Sequence, residues 1–264
     1  MSEATRTSII GALVACGRPL TAPQVVRLMA TLGISATNVR SHLTRLISDG
    51  VLVRRGARRR QVYWPSETRQ LIVGGIHARL GRANERWNGR WLILSLTLPA
   101  NRDARAALRA QLEFDGFRAH SMATFLRPAW PRRWARERAL GYVERGSGVC
   151  VEGSPLVPID RATINTMYHL GALDRTARRL RKQITRLRHE HLPERAFALR
   201  LSIGARVASF IGHDPNLPPE LWGVRRALHA LVKEYRAFDA QMRTRAQPFV
   251  AEVLDGESSR AASS

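Results

Sequence analysis

The chain has 264 residues, of which 43 are Lys or Arg and 21 are Asp or Glu, and its formal net charge at pH 7 is +22. This length is enough for two or three domains, and the excess of positive charge is typical of proteins that bind a polyanion such as nucleic acid. No apolar run approaches the roughly 18 residues that a membrane-spanning helix needs, so a membrane protein is not expected.

The sequence gives no sign of a secreted, metal-binding or catalytic protein. The N-terminus lacks the apolar core of a signal peptide, so we expect a cytoplasmic protein. Cys16 and Cys150 are far apart and stand in no Cys-x-x-Cys pattern, which predicts neither a disulfide framework nor a zinc site. Phosphate-binding glycine loops, Gly-x-Ser-x-Gly elbows and His-Glu-x-x-His motifs are not found either. We therefore expect no catalytic residue, no metal and no cofactor.

Residues 1–65 begin with three predicted helices. The first covers residues 7–15, and Thr21 can cap a second helix that ends before Gly33. Ser35 can cap the third helix and Gly50 can end it. The apolar face of the third helix consists of Val39, Leu43, Leu46 and Ile47. The polar residues expected to read the major groove of DNA are Thr37, Asn38, Arg40, Ser41, Thr44 and Arg45.

Two short β-rich runs follow, at residues 51–55 and 61–64. The loop between them carries Arg58, Arg59 and Arg60, and consecutive like charges repel each other unless an anion lies nearby. Residues 1–65 therefore predict a winged helix-turn-helix whose wing contacts phosphates. Two alternatives stay open, because winged helices also bind proteins and a run of arginines can be a solvated turn.

A linker helix and a second domain are predicted next. Residues 66–86 keep a helical period, but Gly74-Gly75 weakens it by about 1 kcal/mol per glycine relative to alanine. In the domain predicted over residues 87–160, a buried strand at 92–98 precedes a helix at 102–114. Strand segments follow at 116–128 and 141–151. This order predicts a ferredoxin-like α/β sandwich within an α+β multidomain protein.

Residues 161–250 predict a helical C-terminal domain, and residues 251–264 a disordered tail. Apolar residues recur at heptad-like spacing, with arginines between them on a face expected to be solvated. Contact of these arginines with nucleic-acid or acyl-CoA phosphates is the alternative. The two stripes are Leu173, Ala177, Leu180, Ile184 and Leu187, then Val224, Leu228, Leu231, Tyr235, Phe238 and Met242. We interpret them as antiparallel helices over a common core, with dimerisation through one stripe as the alternative.

Three regions together resemble a known family. The first is Asn38-Val-Arg-Ser-His-Leu-Thr-Arg-Leu46 with Asp49-Gly50 and the arginine-rich wing. The second runs from residues 87–99 through Leu112-Glu-Phe-Asp-Gly-Phe117 to Arg127-Pro128. The third is Asp214-Pro-Asn-Leu-Pro-Pro-Glu-Leu-Trp-Gly223. In this order they are similar to the PaaX-type repressors of phenylacetic acid degradation.

The resemblance implies a bacterial transcriptional regulator with a winged helix, a ferredoxin-like middle and a helical C-terminal domain. Members of the family are typically dimeric repressors of catabolic operons, and the founding type is relieved by an aryl-CoA thioester. The expected partners are thus a double-stranded DNA operator, a second copy of the chain, and an acyl-CoA or aromatic effector.

Tryptophan beside arginine can stack an aromatic ring while the guanidinium holds a phosphate or carboxylate. On this ground the residues expected to bind the effector are Arg127, Trp130, Trp134 and Trp222. The alternative is that these tryptophans belong to the core.

The alternative function is a metal-dependent nuclease or another nucleic-acid-processing protein that uses the ferredoxin-like domain, because this domain resembles, at the level of the fold, the small nucleases of CRISPR adaptation. Metal-dependent cleavage needs carboxylates around Mg²⁺, and those nucleases place an aspartate at the end of the first strand. Here that strand ends in Leu96-Thr-Leu-Pro99, and the next carboxylate is Asp103. The sequence therefore favours the DNA-binding regulator over the nuclease.

Overall fold

The computed structural model describes residues 3–56, 61–67, 86–146, 148–157, 159–215, 217–222 and 226–256. Helices combine with two small antiparallel sheets, which confirms the predicted α+β class. The chain divides into two compact units, one from residues 1–76, 178–209 and 230–264 and the other from residues 77–177 and 210–229. No helix in the described ranges is long and apolar enough to cross a membrane.

The first unit begins with three helices and a three-stranded sheet. These elements are α1 (Glu3–Cys16), β1 (Leu20–Thr21), α2 (Ala22–Ala30), α3 (Ala36–Ser48), β2 (Leu52–Arg55) and β3 (Val62–Pro65). The strands are antiparallel in the order β1-β3-β2, with Leu52 opposite Pro65 and Arg55 opposite Val62. The predicted hairpin is thus present, while its loop residues 57–60 lie outside the described part of the chain.

Local capping sets the boundaries of α2 and α3. The Thr21 side chain accepts a hydrogen bond from the Gln24 amide, and the Gln24 side chain accepts one from the Thr21 amide at 2.9 Å. Ser35 Oγ accepts from the amide of Asn38 at the start of α3. Gly33 and Gly50 follow the two helices with φ of +72° and +67°, which only glycine adopts without strain. These predicted helix starts and stops are confirmed.

The second unit contains a four-stranded sheet and two helices. Their bounds are β4 (Trp91–Leu96), α4 (Arg102–Phe114), β5 (Arg118–Ala119), β6 (Thr124–Pro128), α5 (Arg132–Arg145) and β7 (Gly148–Gly153). The sheet is antiparallel in the order β5-β6-β4-β7. Leu92, Leu94 and Leu96 of the central strand β4 enter a core with Leu112 and Phe117, because alternate residues of a strand face the same side.

One helix in this unit extends into residues predicted to form a strand. The sequence predicts strand over residues 141–151, but α5 continues to Arg145 and β7 begins at Gly148. The residues that α5 buries are Ala135, Ala139 and Tyr142. An apolar stripe of about one mostly small residue per turn is too narrow to indicate a helix by periodicity.

The C-terminal part is helical, with α6 (Arg161–Tyr168), α7 (Leu170–Leu187), α8 (Pro193–His213), α9 (Pro219–Trp222) and α10 (Arg226–Asp255). The predicted stripe of α7 is buried or half-buried throughout, and so is that of α10 from Leu228 to Met242. Val224 and the predicted linker residues 68–85 lie outside the described residues. The chain itself therefore covers both stripes over their described residues, and the antiparallel arrangement over a common core stays a prediction.

The predicted tail begins too early. Helix α10 extends to Asp255 and buries Val253, so residues 251–255 are helical, and residues 257–264 are outside the described part. The end of α10 contacts α2, because Gln24 Nε2 donates to the Leu254 carbonyl at 3.3 Å and Arg27 pairs with Glu252. The N-terminal module and part of the predicted C-terminal domain therefore form one unit.

Two glycines of the second unit have positive φ, but only one of them lies close to another part of the backbone. Gly116 follows α4 with φ of +82°, and a Cβ there would lie 2.7 Å from the Pro215 carbonyl oxygen. Gly89 has φ of +79° but open space around the same position. We expect Gly116→Ala to lower the free energy of unfolding by about 3 kcal/mol and Gly89→Ala by about 1 kcal/mol.

The measurement is urea denaturation of both variants, with amide hydrogen exchange in β4 to follow the second unit specifically. Equal losses in the two variants would contradict the close approach of Pro215 to Gly116.

Candidate nucleic-acid interface

Helix α3 presents a polar face to solvent. All six residues predicted to contact DNA are exposed on it: Thr37, Asn38, Arg40, Ser41, Thr44 and Arg45. On the opposite side, Val39 and Leu46 are fully buried and Leu43 is 1% exposed. Burial of one side fixes the rotation of the helix, so the polar side chains are directed away from the core as predicted.

The chemistry of this face suits base recognition. Arg can donate two hydrogen bonds to guanine, and Asn can pair with adenine through one donor and one acceptor. Arg40 and Asn38 supply these groups, and Thr44 Oγ1 is held against the Arg40 carbonyl at 3.2 Å. Short polar side chains between them let a helix approach the groove closely.

His42 was not among the residues predicted to contact DNA, and it belongs to the buried side of α3. It is 8% exposed, and its Nδ1 makes no hydrogen bond among the described residues. Counting along the helix could have placed it there, because residues 39, 42, 43 and 46 follow the i, i+3, i+4, i+7 spacing of one face.

Two contacts hold α3 against its neighbours. Arg6 of α1 forms an ion pair with Asp49, the C-terminal cap of α3, at 3.0 Å. The amide of Val51 donates to the Leu46 carbonyl at 2.9 Å, which joins the end of α3 to β2. Helix and hairpin are therefore connected by a short, hydrogen-bonded turn.

The hairpin that follows α3 along the chain carries further positive charge. Arg54 and Arg55 of β2 are exposed, one on each side of the strand. The predicted phosphate contacts Arg58, Arg59 and Arg60 fall on the loop outside the described residues. Their role stays a prediction.

The residues predicted to bind an effector do not come together as one open site. Arg127 is 1% exposed, and its guanidinium donates to the main-chain carbonyls of Asp115, Pro128 (3.2 Å) and Trp130 (2.8 Å). It also stacks on the Trp134 ring, 4.6 Å from the centroid. Since these carbonyls engage its donors, Arg127 holds the loop after β6 and is not open to a ligand carboxylate.

The predicted tryptophans have structural surroundings as well. Trp130 is 3% exposed, so little of its ring is open to a ligand. Trp222 is half-buried and packs on a separate apolar cluster with Trp91 and Tyr168. A place in the core is the alternative that the sequence leaves open for Trp130 and Trp222.

The described residues offer no support for a metal-dependent nuclease. Among them, no three or more His, Cys, Asp or Glu side chains are grouped so that they could hold a metal ion. Asp103, the first carboxylate after β4, is exposed in the first turn of α4. There a carboxylate interacts favourably with the helix dipole, which is a structural role.

Comparison with known proteins gives a partial family match and a similar fold. The solved structure of uncharacterized protein Rv0674 from Mycobacterium tuberculosis is similar with a TM-score of 0.56 at 21% sequence identity, over 91% of this chain and 95% of that chain. This likeness concerns the fold alone. No curated protein matches the chain. The sequence profile of the family described as PaaX-like protein matches residues 5–69, which confirms the resemblance to that family and favours a transcriptional regulator.

Proposed function

We propose that this chain is a DNA-binding transcriptional regulator that reads its operator with helix α3. The observation that carries the proposal is the six-residue polar face of α3, exposed opposite the buried residues Val39, Leu43 and Leu46. The residues proposed to contact DNA are Thr37, Asn38, Arg40, Ser41, Thr44, Arg45, Arg58, Arg59 and Arg60. The net charge of +22 supports a polyanionic partner.

Two fold assignments belong to the same proposal. The order of α1, β1, α2, α3, β2 and β3, with the sheet order β1-β3-β2, supports a winged helix-turn-helix over residues 1–65. In the second unit the order strand, helix, strand, strand, helix, strand, with sheet order β5-β6-β4-β7, supports a ferredoxin-like domain. Neither assignment requires catalysis, and we propose no enzymatic activity.

We further propose that the regulator is a homodimeric repressor of a catabolic operon, relieved by an acyl-CoA or aromatic compound. The PaaX-like match supports this extension. For relief, the effector must bind the DNA-free conformation more tightly than the DNA-bound one, because equal affinity shifts no equilibrium.

Replacing Arg40 or Arg45 with alanine tests base reading. Each change should weaken operator binding by about 1–3 kcal/mol and relax specificity at one base pair, because alanine cannot donate the two hydrogen bonds of a guanidinium to a base. The operator is selected from a random duplex library by the purified chain, and affinity is measured by fluorescence anisotropy.

The matched control is Arg206→Ala, which removes an exposed arginine from α8 and should change affinity by no more than about twofold. Parental affinity in both α3 variants, with an unchanged melting temperature, would remove α3 from the reading role.

Replacing Arg58, Arg59 and Arg60 together with alanine tests phosphate contact by the wing. Specific and nonspecific binding should weaken alike, and the slope of log K against log salt should flatten by about 0.9 for each phosphate that the wing no longer neutralises. The control is the triple alanine variant of Arg102, Arg105 and Arg109, which removes equal charge from exposed positions on α4. A wing variant with the parental slope would contradict the proposed contact.

Dimeric binding predicts a symmetric operator. The selected duplexes should contain an inverted repeat with half-site centres about 10 base pairs apart or a multiple of this. At this spacing the major grooves of the two half-sites face the same side of the duplex. Sedimentation velocity should show two chains per duplex. One chain bound to an unrepeated site would overturn the dimer proposal and leave base reading by α3 intact.

A further inference from the structure

The second unit contains a cavity of about 420 Å³ that the proposed DNA interface does not use. Helices α4 and α7 line it together with the connection between α6 and α7. Its polar lining includes Arg118, His169 and His213, and its apolar lining includes Ala172 and Leu173. A concave site with mixed walls and a few convergent polar groups is the usual form of a small-molecule site.

Arg118 is the decisive group in this cavity. Its Nη1 donates to the main-chain carbonyls of Glu113 at 3.0 Å and Phe117 at 2.8 Å, and its guanidinium lies over the Tyr168 ring, 5.1 Å from the centroid. Among the described residues it forms no ion pair with a carboxylate. A half-buried cation in this state is stabilised when an anion arrives, because burial has removed part of its hydration. The same burial lowers the pKa of Arg118.

The two histidines extend the polar side of the cavity. His169 is the only described non-glycine residue with positive φ, at +52°, and it forms the sharp connection between α6 and α7. His213 is the last residue of α8. Imidazoles can donate hydrogen bonds to an anion in either charge state, so they complement the guanidinium.

A carboxylate in the lining limits how much negative charge the cavity accepts. Glu113 also lines the cavity, and its negative charge acts on Arg118. The Glu113 carboxylate repels an anion with two negative charges more strongly than an anion with one. Ala172 and Leu173 offer apolar contact to the rest of the ligand. The lining therefore favours a monoanion with an apolar body.

We propose that this cavity binds a small organic carboxylate, with the carboxylate on Arg118 and the apolar part against Leu173. The Nε and Nη2 donors of Arg118, which make no hydrogen bond among the described residues, supply a two-point contact to the carboxylate. The proposed function already includes a small effector, and this site would hold one, but it is argued from the geometry of the second unit and not from DNA binding. Failure of DNA binding would leave it standing, and its failure would leave the DNA proposal standing.

Isothermal titration of the full chain, without DNA, tests the site with 3-phenylpropanoate as the probe. The isosteric neutral 3-phenylpropanamide isolates the contribution of the charge, and inorganic phosphate isolates that of the apolar body. We expect the carboxylate to bind at least about tenfold more tightly than either, because a hydrogen bond to a charged group and apolar burial both contribute. Its addition should shift the imidazole NMR signals of His169 and His213.

Two variants locate the binding. Arg118→Gln removes the cation, and Ala172→Phe fills the cavity from an exposed helix position without removing any polar group. Each should weaken binding of 3-phenylpropanoate at least about tenfold. Arg109→Gln, an exposed arginine on α4 outside the cavity, makes the same charge change as Arg118→Gln and should leave affinity within about twofold.

The proposal is overturned if the amide or phosphate binds as tightly as the carboxylate, or if Ala172→Phe binds the probe with parental affinity. Absence of any binding by the parental chain overturns it as well. Should Arg118→Gln fail to fold, the Ala172→Phe variant and the comparison of carboxylate with amide still decide the outcome.

Discussion

Burial of one side of α3 is the constraint from which the candidate interface follows. Val39, Leu43 and Leu46 lose essentially all contact with solvent, and each contributes roughly 1.5–3 kcal/mol to stability relative to an exposed position. A helix is stiff, so this burial also determines which residues point outward. The Arg6–Asp49 ion pair and the hydrogen bond from Val51 to Leu46 then tie the end of α3 to α1 and β2. Recognition chemistry at Arg40 thus rests on packing on the other side of the helix.

Two arginines in the second unit show how differently a buried guanidinium can be stabilised. Arg127 has main-chain carbonyls on its nitrogens and aromatic rings on its faces, so its charge is compensated within the fold. Arg118 has two carbonyls on one nitrogen and one ring, and it lines a cavity. The arrangement around Arg127 stabilises the loop after β6. The second leaves Nε and Nη2 without a hydrogen bond among the described residues, which is why the proposed carboxylate site lies at Arg118.

The positive charge of the chain is neutralised unevenly. Glu152 of β7 gathers Arg90, Arg132 and Arg136, and its hydrogen bond from Arg136 holds the pKa of its carboxyl below the usual range. These side chains belong to the second unit. Arg40 on α3, in contrast, has no carboxylate within ion-pair distance among the described residues. Charge that the protein leaves uncompensated there is available to phosphates and base edges.

Local sequence determined the helices, caps and turn glycines of the N-terminal module, since Thr21, Ser35 and Gly50 act on residues within a few positions of themselves. Periodicity also identified the buried and exposed faces of α3, because side chains three and four apart share a face. Tertiary structure alone decided the rest. It made Arg127 a structural residue through carbonyls up to twelve positions away, joined the end of α10 to α2, and assembled the Arg118 cavity from α4, α7 and the end of α8. Such contacts depend on which distant segments pack together, and residue spacing along the chain does not predict this packing.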